Sequence, residues 1–83
     1  MQQTLNERQA LTTECTTNFA RVVQKLCKRM RAGEVPPVHF RDAVARLSII
    51  LVAAGDCGAL QAEKDVLTLL ETLTSTARQT MYI

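Results

Sequence analysis

The stretch from Phe40 to Gly55, FRDAVARLSIILVAAG, constrains the fold more than any other part of the chain. Its first turns carry a single apolar stripe, because Phe40, Val44 and Leu47 follow one another at helical spacing. After Ser48, six consecutive residues are apolar, so that the last two turns of a helix here have no polar side. Such a helix must be covered on every side, either by its own chain or by another one.

Glycine and proline residues divide the chain into three helical segments. Asn6 is the predicted cap of the first helix, and Gly33 follows its basic end as a left-handed cap. Pro36 and Pro37 interrupt the helical pattern, and Pro37 suits the first position of the next helix. The second helix is predicted to stop at Gly55, before a short loop. The predicted helices cover about residues 6–32, 37–54 and 58–80.

The fold class follows from these segments and from the short connections between them. Helices joined by so few residues fold back on one another. We therefore predict an all-α fold in a single domain of residues 1–83, an antiparallel helical hairpin plus a third helix that together form a small three-helix bundle. The predicted core stripe of the first helix is Leu11, Cys15, Phe19, Val22, Leu26 and Met30, widened by Val23 and Cys27.

The apolar side chains exceed what so small a bundle is expected to hide. A chain of 83 residues buries only about 60–65% of the surface of its unfolded form. On the second helix, Ile49 and Val52 lie opposite Leu47 and Leu51. We predict that the bundle is oligomeric or bound to another helical protein; the alternative is that all these residues form the internal core. The predicted partner-contact residues are Ile49, Val52, Val66, Leu69 and Leu73.

Residue patterns of catalysis and metal binding are missing from the sequence. His39 is the only histidine, and no Ser, Cys or carboxylate lies at a helical spacing that would couple to it. Cys15 and Cys27 are about 18 Å apart on one helix, too far to share an ion within a chain. The three cysteines have no regular spacing, which favours small core residues in a reducing compartment. We therefore expect no enzymatic activity, no catalytic residue, no metal and no cofactor.

A basic ridge on the first helix supports an alternative function. Arg21, Lys25 and Lys28 are spaced i, i+4 and i+7, an arrangement that can follow phosphate groups. These residues are the predicted phosphate contacts of a small nucleic-acid-binding regulator. Against this alternative, the third helix is acidic to neutral, and only 4% of the residues are aromatic, so base stacking would be weak. Nucleic acid is therefore the less favoured partner.

The sequence predicts no contact with a membrane. Its longest apolar run, from Ile49 to Ala54, is far below the roughly 20 residues that span a bilayer. The amino end, MQQTLNERQ, lacks the apolar segment of a signal peptide. We expect a cytoplasmic location.

A resemblance to a known family also predicts a helical protein that binds another protein. The run LCKRMRAGEVPPVHF, from Leu26 to Phe40, and the following ARLSIILVAAGD resemble the small YscE-type proteins of type III secretion systems. Those proteins are short helical hairpins with a basic first-helix end, a glycine-containing turn and a second helix rich in Ile, Val and Ala. The resemblance covers about half of the chain and implies a co-chaperone that, with a helical-repeat chaperone, keeps the needle subunit unpolymerised. This sequence differs by the two prolines in its turn and by its third helix.

Overall fold

The chain forms three helices that all pack against one another. In the computed structural model, residues 4–34 and 37–81 are described, the side chain of residue 81 excepted. No strand occurs within these ranges, and the bundle measures 47 × 19 × 16 Å. The predicted all-α three-helix bundle is confirmed. Its helices are α1 (Leu5–Arg31), α2 (Pro37–Cys57) and α3 (Leu60–Met81).

The start of α1 is a capping box, two residues before the predicted cap. The Thr4 hydroxyl accepts a hydrogen bond from the Glu7 N–H at 3.1 Å, and the Thr4 N–H donates to the Glu7 carboxylate at 3.3 Å. Asn6 instead lies inside the first turn, so the predicted cap was wrong. The reciprocal pair satisfies two backbone donors at once, and its T-x-x-E pattern was present in the sequence.

The end of α1 confirms the predicted role of Gly33. This residue has φ +74°, and its N–H donates to the Met30 carbonyl at 3.0 Å. The Glu34 N–H reaches back to the Arg29 carbonyl, also at 3.0 Å. Together the two bonds form a Schellman motif, which needs a left-handed residue that glycine supplies without strain.

The end of α2 differs from the prediction by one turn. The helix continues through Gly55, and the left-handed residue is Gly58, with φ +70°. The Ala59 N–H donates to the Ala54 carbonyl at 2.9 Å, and the Gly58 N–H donates to the Gly55 carbonyl at 3.3 Å. The added turn contains Cys57, which is buried among small side chains. This second buried cluster consists of Ala54, Cys57, Ala59 and Ala62.

The main core lies between the second half of α1, the first half of α2 and α3. Leu47, Val66 and Leu73 are the largest aliphatic side chains with 0% of their surface exposed. Half-buried side chains, among them Phe19, Phe40 and Leu69, pack against this core. The buried core residues are Val23, Leu26, Cys27, Met30, Ala43, Leu47, Val66, Leu73 and Ala77.

The buried face of α1 is rotated from the predicted stripe. Leu11, Cys15 and Val22, which were predicted to be core residues, are exposed. Thr16 is buried, and its hydroxyl donates to the Thr12 carbonyl at 2.8 Å, so that burial leaves no unsatisfied polar atom there. The predicted stripe is therefore only partly correct: Leu26 and Met30 are buried, whereas Leu11, Cys15 and Val22 lie at the surface.

Candidate protein-docking surface

The five predicted partner-contact residues separate into core and surface positions. Val66 and Leu73 are completely buried, so the prediction that they contact a partner is corrected. They lie on the side of α3 that faces the other two helices, where their burial holds the bundle together. Leu69 is half-buried against the core. Ile49 is 70% exposed and Val52 is 64% exposed, so these two remain available to a partner.

A groove on the surface between α1 and α2 collects exposed apolar side chains. It consists of two adjoining hollows, of about 490 and 380 Å³, which share Phe19, Val22 and Arg46. The apolar residues that α1 contributes are Cys15, Phe19, Val22 and Leu26. Those of α2 are Ala43, Ile49 and Ile50. We call this depression the α1–α2 groove.

Helix geometry explains why the groove forms. On α1, Cys15, Phe19, Val22 and Leu26 follow one another at steps of four, three and four residues, which places them on one edge of the helix. The small side chain of Ala43 lies opposite the larger ones of this edge, so the two helices leave a depression between them. Four of the six residues of the predicted core stripe of α1 therefore line the groove.

Val52 belongs to a different side of α2. Successive helical residues turn by about 100°, so Val52 lies on the opposite side of Ile49 from Ile50, which lines the groove. Ile49 thus lies at the edge of the groove, and Val52 extends the exposed apolar surface of α2 away from α1.

Charged side chains surround the apolar part of the groove. Lys25 and Arg29 line it from α1, and Arg46 and Asp42 line it from α2. Arg46 Nε donates to Asp42 Oδ2 at 2.9 Å, so the one lining carboxylate already has a partner. Within the described ranges, no carboxylate lies within 4.0 Å of the Lys25 ammonium. Arg29 Nε lies 4.0 Å from Glu34 Oε2. The rim therefore keeps an excess of positive charge, of which Lys25 is the member without an ion pair among the described residues.

The predicted basic ridge is exposed along its whole length. Arg21, Lys25 and Lys28 lie on the outer side of one continuous helix and span about 10 Å along its axis. In the part of the chain that the structure describes, none of the three forms an ion pair. Lys25 belongs both to this ridge and to the rim of the groove.

The remaining reactive side chains do not converge. His39 is exposed in the first turn of α2 and lines the groove. No three His, Cys, Asp or Glu side chains of the described residues are grouped closely enough to hold a metal ion. Cys27 and Cys57 are buried as predicted, whereas Cys15 is exposed, contrary to the prediction.

A larger hollow of about 1030 Å³ lies between the end of α1 and α3. Several of its lining groups are threonine hydroxyls that are already engaged. The Thr74 hydroxyl donates to the Leu70 carbonyl at 2.7 Å, and the Thr76 hydroxyl donates to the Thr72 carbonyl at 2.9 Å. These protons are used within α3, so this hollow offers a bound molecule fewer donors than its composition indicates.

No family model, curated protein or solved structure matches the chain. The resemblance to YscE-type proteins therefore stays a prediction. Among the described helices, none combines the length and the hydropathy that crossing a membrane requires.

Sequence reasoning missed the groove because it assigned Cys15 and Val22, which are exposed, to the core. A signal for the groove was present, since α1 carries two apolar lines. One passes through Val22 and the other through Val23 and Cys27. Two lines cover more of the circumference than one helix presents to a small bundle, so one of them had to be partly exposed.

Proposed function

We propose that the chain is a non-enzymatic helical protein–protein interaction module, such as a small cytoplasmic chaperone, adaptor or regulator. The observation that carries this proposal is the exposure of Ile49 at the edge of the α1–α2 groove. The resemblance to YscE-type proteins adds a role in secretion as one form of this function. Another helical protein or a second copy of the chain is the kind of partner that such a groove accommodates.

The clustering of apolar side chains matters more than their number. Single exposed apolar residues are ordinary on protein surfaces. Here the exposed side chains of Val22 and Ile49 adjoin the half-buried Phe19 and Ile50 in one continuous groove. Continuous apolar surface with a polar rim is typical of sites where other proteins bind.

Self-association and the binding of a hydrophobic dye test the proposal. The variants are Ile49→Asp and Val22→Asp, in the groove. The matched control is Leu60→Asp, since Leu60 is exposed to almost the same degree, 68%, but lies on α3. We expect the wild type to bind anilinonaphthalene sulfonate or to associate, as measured by light scattering. Both groove variants should lose this property, whereas the control should retain it.

Thermal unfolding separates a lost surface from a lost fold. All three variants change exposed positions and are expected to shift the free energy of unfolding by less than about 1 kcal/mol. A wild-type chain that stays a monomer and binds no dye would contradict the proposal. Equal dye binding by the groove variants and the control would contradict it too.

A second candidate function is a small nucleic-acid-binding regulator that uses Arg21, Lys25 and Lys28. The observation that favours it is the exposure of this ridge, with none of its three cations in an ion pair among the described residues. Three phosphate contacts on duplex DNA would give a slope of about −3 for the logarithm of affinity against the logarithm of salt concentration.

A charge-matched pair of variants tests this second candidate. The triple change of Arg21, Lys25 and Lys28 to Glu should abolish retardation of DNA and RNA at low salt. The control reverses three exposed arginines outside the ridge and so alters the net charge by the same amount. If the wild-type chain retards the migration of neither DNA nor RNA, this function is excluded. If both triple variants lose binding equally, the net charge and not the ridge accounts for the binding. The control positions are Arg8, Arg41 and Arg78.

A further inference from the structure

We infer that the α1–α2 groove binds an amphipathic helix of a different protein, with carboxylates on both sides of its apolar face. This inference rests on the proposed function of a protein–protein interaction module and names the chemistry of its partner. Three features support it: the apolar lining of the groove, its length and the sign of its rim charges.

The groove has the dimensions that a helix needs. From Cys15 to Arg29 it follows α1 over 15 residues, which corresponds to about 21 Å or four helical turns. A partner helix of about 14 residues would lie against α1 and α2 together and cover Phe19, Val22 and Ile49. Its apolar side chains would recur at i, i+3, i+4 and i+7, the spacing of helices that bind in grooves.

The rim charges select an acidic partner. Lys25, Arg29 and Arg46 line the groove with one carboxylate, Asp42. Arg46 is paired with Asp42 at 2.9 Å and Arg29 lies 4.0 Å from Glu34, so among the described residues Lys25 is the lining lysine or arginine without an ion pair. The stems of these long side chains can lie along the apolar surface while their charged ends reach past a bound helix. Carboxylates on both sides of the apolar face of that helix would meet these ends, whereas lysines would be repelled.

The same charges disfavour a second copy of the chain. A symmetric dimer through the groove would bring the rim of one protomer against the same rim of the other, so like charges would meet. The exposed face of α3 is of mixed charge. Beside Leu60 and Leu67 it carries Lys64 and Arg78 as well as Asp65 and Glu71, so its acidic groups do not stand alone. A different chain therefore fits the groove better than this one does.

A displayed peptide library tests the inference on the full chain. Its members are helical peptides of fixed length with Leu, Ile, Val, Met or Phe at the apolar positions. Each flanking position is drawn from an equal mixture of Glu and Lys. The library is selected on the wild type after removal of peptides that bind Ile49→Asp. We expect enrichment of Glu at the flanking positions. Enrichment of Lys, no charge preference or no enrichment would overturn the inference.

Binding of one enriched peptide to purified variants locates the site. The double variant Lys25→Glu/Arg29→Glu and the single variant Ile49→Asp should each weaken binding about tenfold. Leu60→Asp and the double reversal of Arg41 and Arg78 to Glu serve as controls and should stay within about twofold of the wild type. The double variant should also bind the Lys-flanked counterpart of the peptide more tightly than the wild type does. Unchanged binding by the groove variants would overturn the inference.

The outcomes separate this inference from the proposed function. If peptides flanked by Glu and by Lys bind equally, and Ile49→Asp abolishes both, the acidic partner is wrong and the docking module stands. If the wild type is a dimer that Ile49→Asp dissociates, the groove binds a second copy of the chain. That result would overturn the inference of a different partner but would leave the proposed function standing. If no peptide is enriched and the wild type is a monomer that binds no dye, both proposals fail.

Discussion

Alanine in place of Gly55 and of Gly58 is expected to change the stability of the protein in opposite directions, although both lie in the four-residue segment GDCG. Gly55 lies inside α2, and a Cβ there would meet no atom closer than Glu63 Oε1 at 4.0 Å. Alanine is favoured over glycine in a helix interior by about 0.8–1 kcal/mol. Gly55 lies in the last turn of α2, so Gly55→Ala should raise the free energy of unfolding by at most that amount.

The left-handed conformation of Gly58 reverses the sign. Its φ of +70° is strained for an L-residue, by about 1–2 kcal/mol. The nearest atom to an added Cβ is Gln9 Nε2 at 3.8 Å, an ordinary contact, so crowding adds little. Alanine also restricts the unfolded chain, which offsets about 0.4–1 kcal/mol of the strain. Gly58→Ala should therefore lower the free energy of unfolding by about 1 kcal/mol.

The two variants should differ by up to about 2 kcal/mol, which corresponds to about 10 °C in melting temperature for a domain of this size. Thermal and urea unfolding, followed by far-ultraviolet circular dichroism, measure the difference. Gly33→Ala is the control, because Gly33 is also left-handed, with φ +74°, and has no neighbour within 4 Å of the added Cβ. It should behave as Gly58→Ala does. A destabilising Gly55→Ala together with a neutral Gly58→Ala would show that α2 ends at Gly55.

Further substitutions test the core, a contact between helices and the cap of α1. Leu73→Ala, at a fully buried position, should lower the free energy of unfolding by about 2–5 kcal/mol, whereas Ile49→Ala should change it by less than about 0.5 kcal/mol in urea titrations. Equal losses of unfolding free energy in the two variants would show that Ile49 is buried in the protein. Gln9 Nε2 donates to a carbonyl at the end of α2 at 2.8 Å, so Gln9→Ala should cost about 1 kcal/mol and speed amide exchange there. Gln24→Ala, at an exposed position, should leave that exchange unchanged, and an equal effect of both would refute the contact. Thr4→Ala should remove about 1 kcal/mol through the capping box, with faster amide exchange confined to the first turn of α1.

The helix ends show which parts of the fold a short sequence pattern can predict. Gly33 was predicted correctly because it follows a basic last turn and precedes two prolines, so several local signals agree. At the end of α2 the segment GDCG contains two glycines, and local preference does not distinguish them. Burial of Cys57 against Ala54, Ala59 and Ala62 selects the second glycine, and these contacts join residues of two different helices.

The candidate site was predicted only in part for the same reason. Ile49 and Val52 were assigned to the surface from the absence of a polar side on α2, and both are exposed. Val66 and Leu73 have the same apolar character, but they lie inside the bundle. Sequence distinguishes an apolar residue from a polar one, whereas its exposure depends on which neighbouring helix reaches it.

The number of helices, the break between α1 and α2 and the surplus of apolar side chains follow from the order of residues along the chain, because helical periodicity, proline and glycine act over a few residues. The side of α1 that became buried does not follow from that order. Its two apolar lines compete for the interior, and the line through Val23 and Cys27 belongs to the core that α2 and α3 form with it. Thr16 lies buried on the same helix without an unsatisfied hydroxyl, because that group donates within α1. The line through the half-buried Phe19 and the exposed Val22 forms a groove with α2, a result that required the packing of one helix against another.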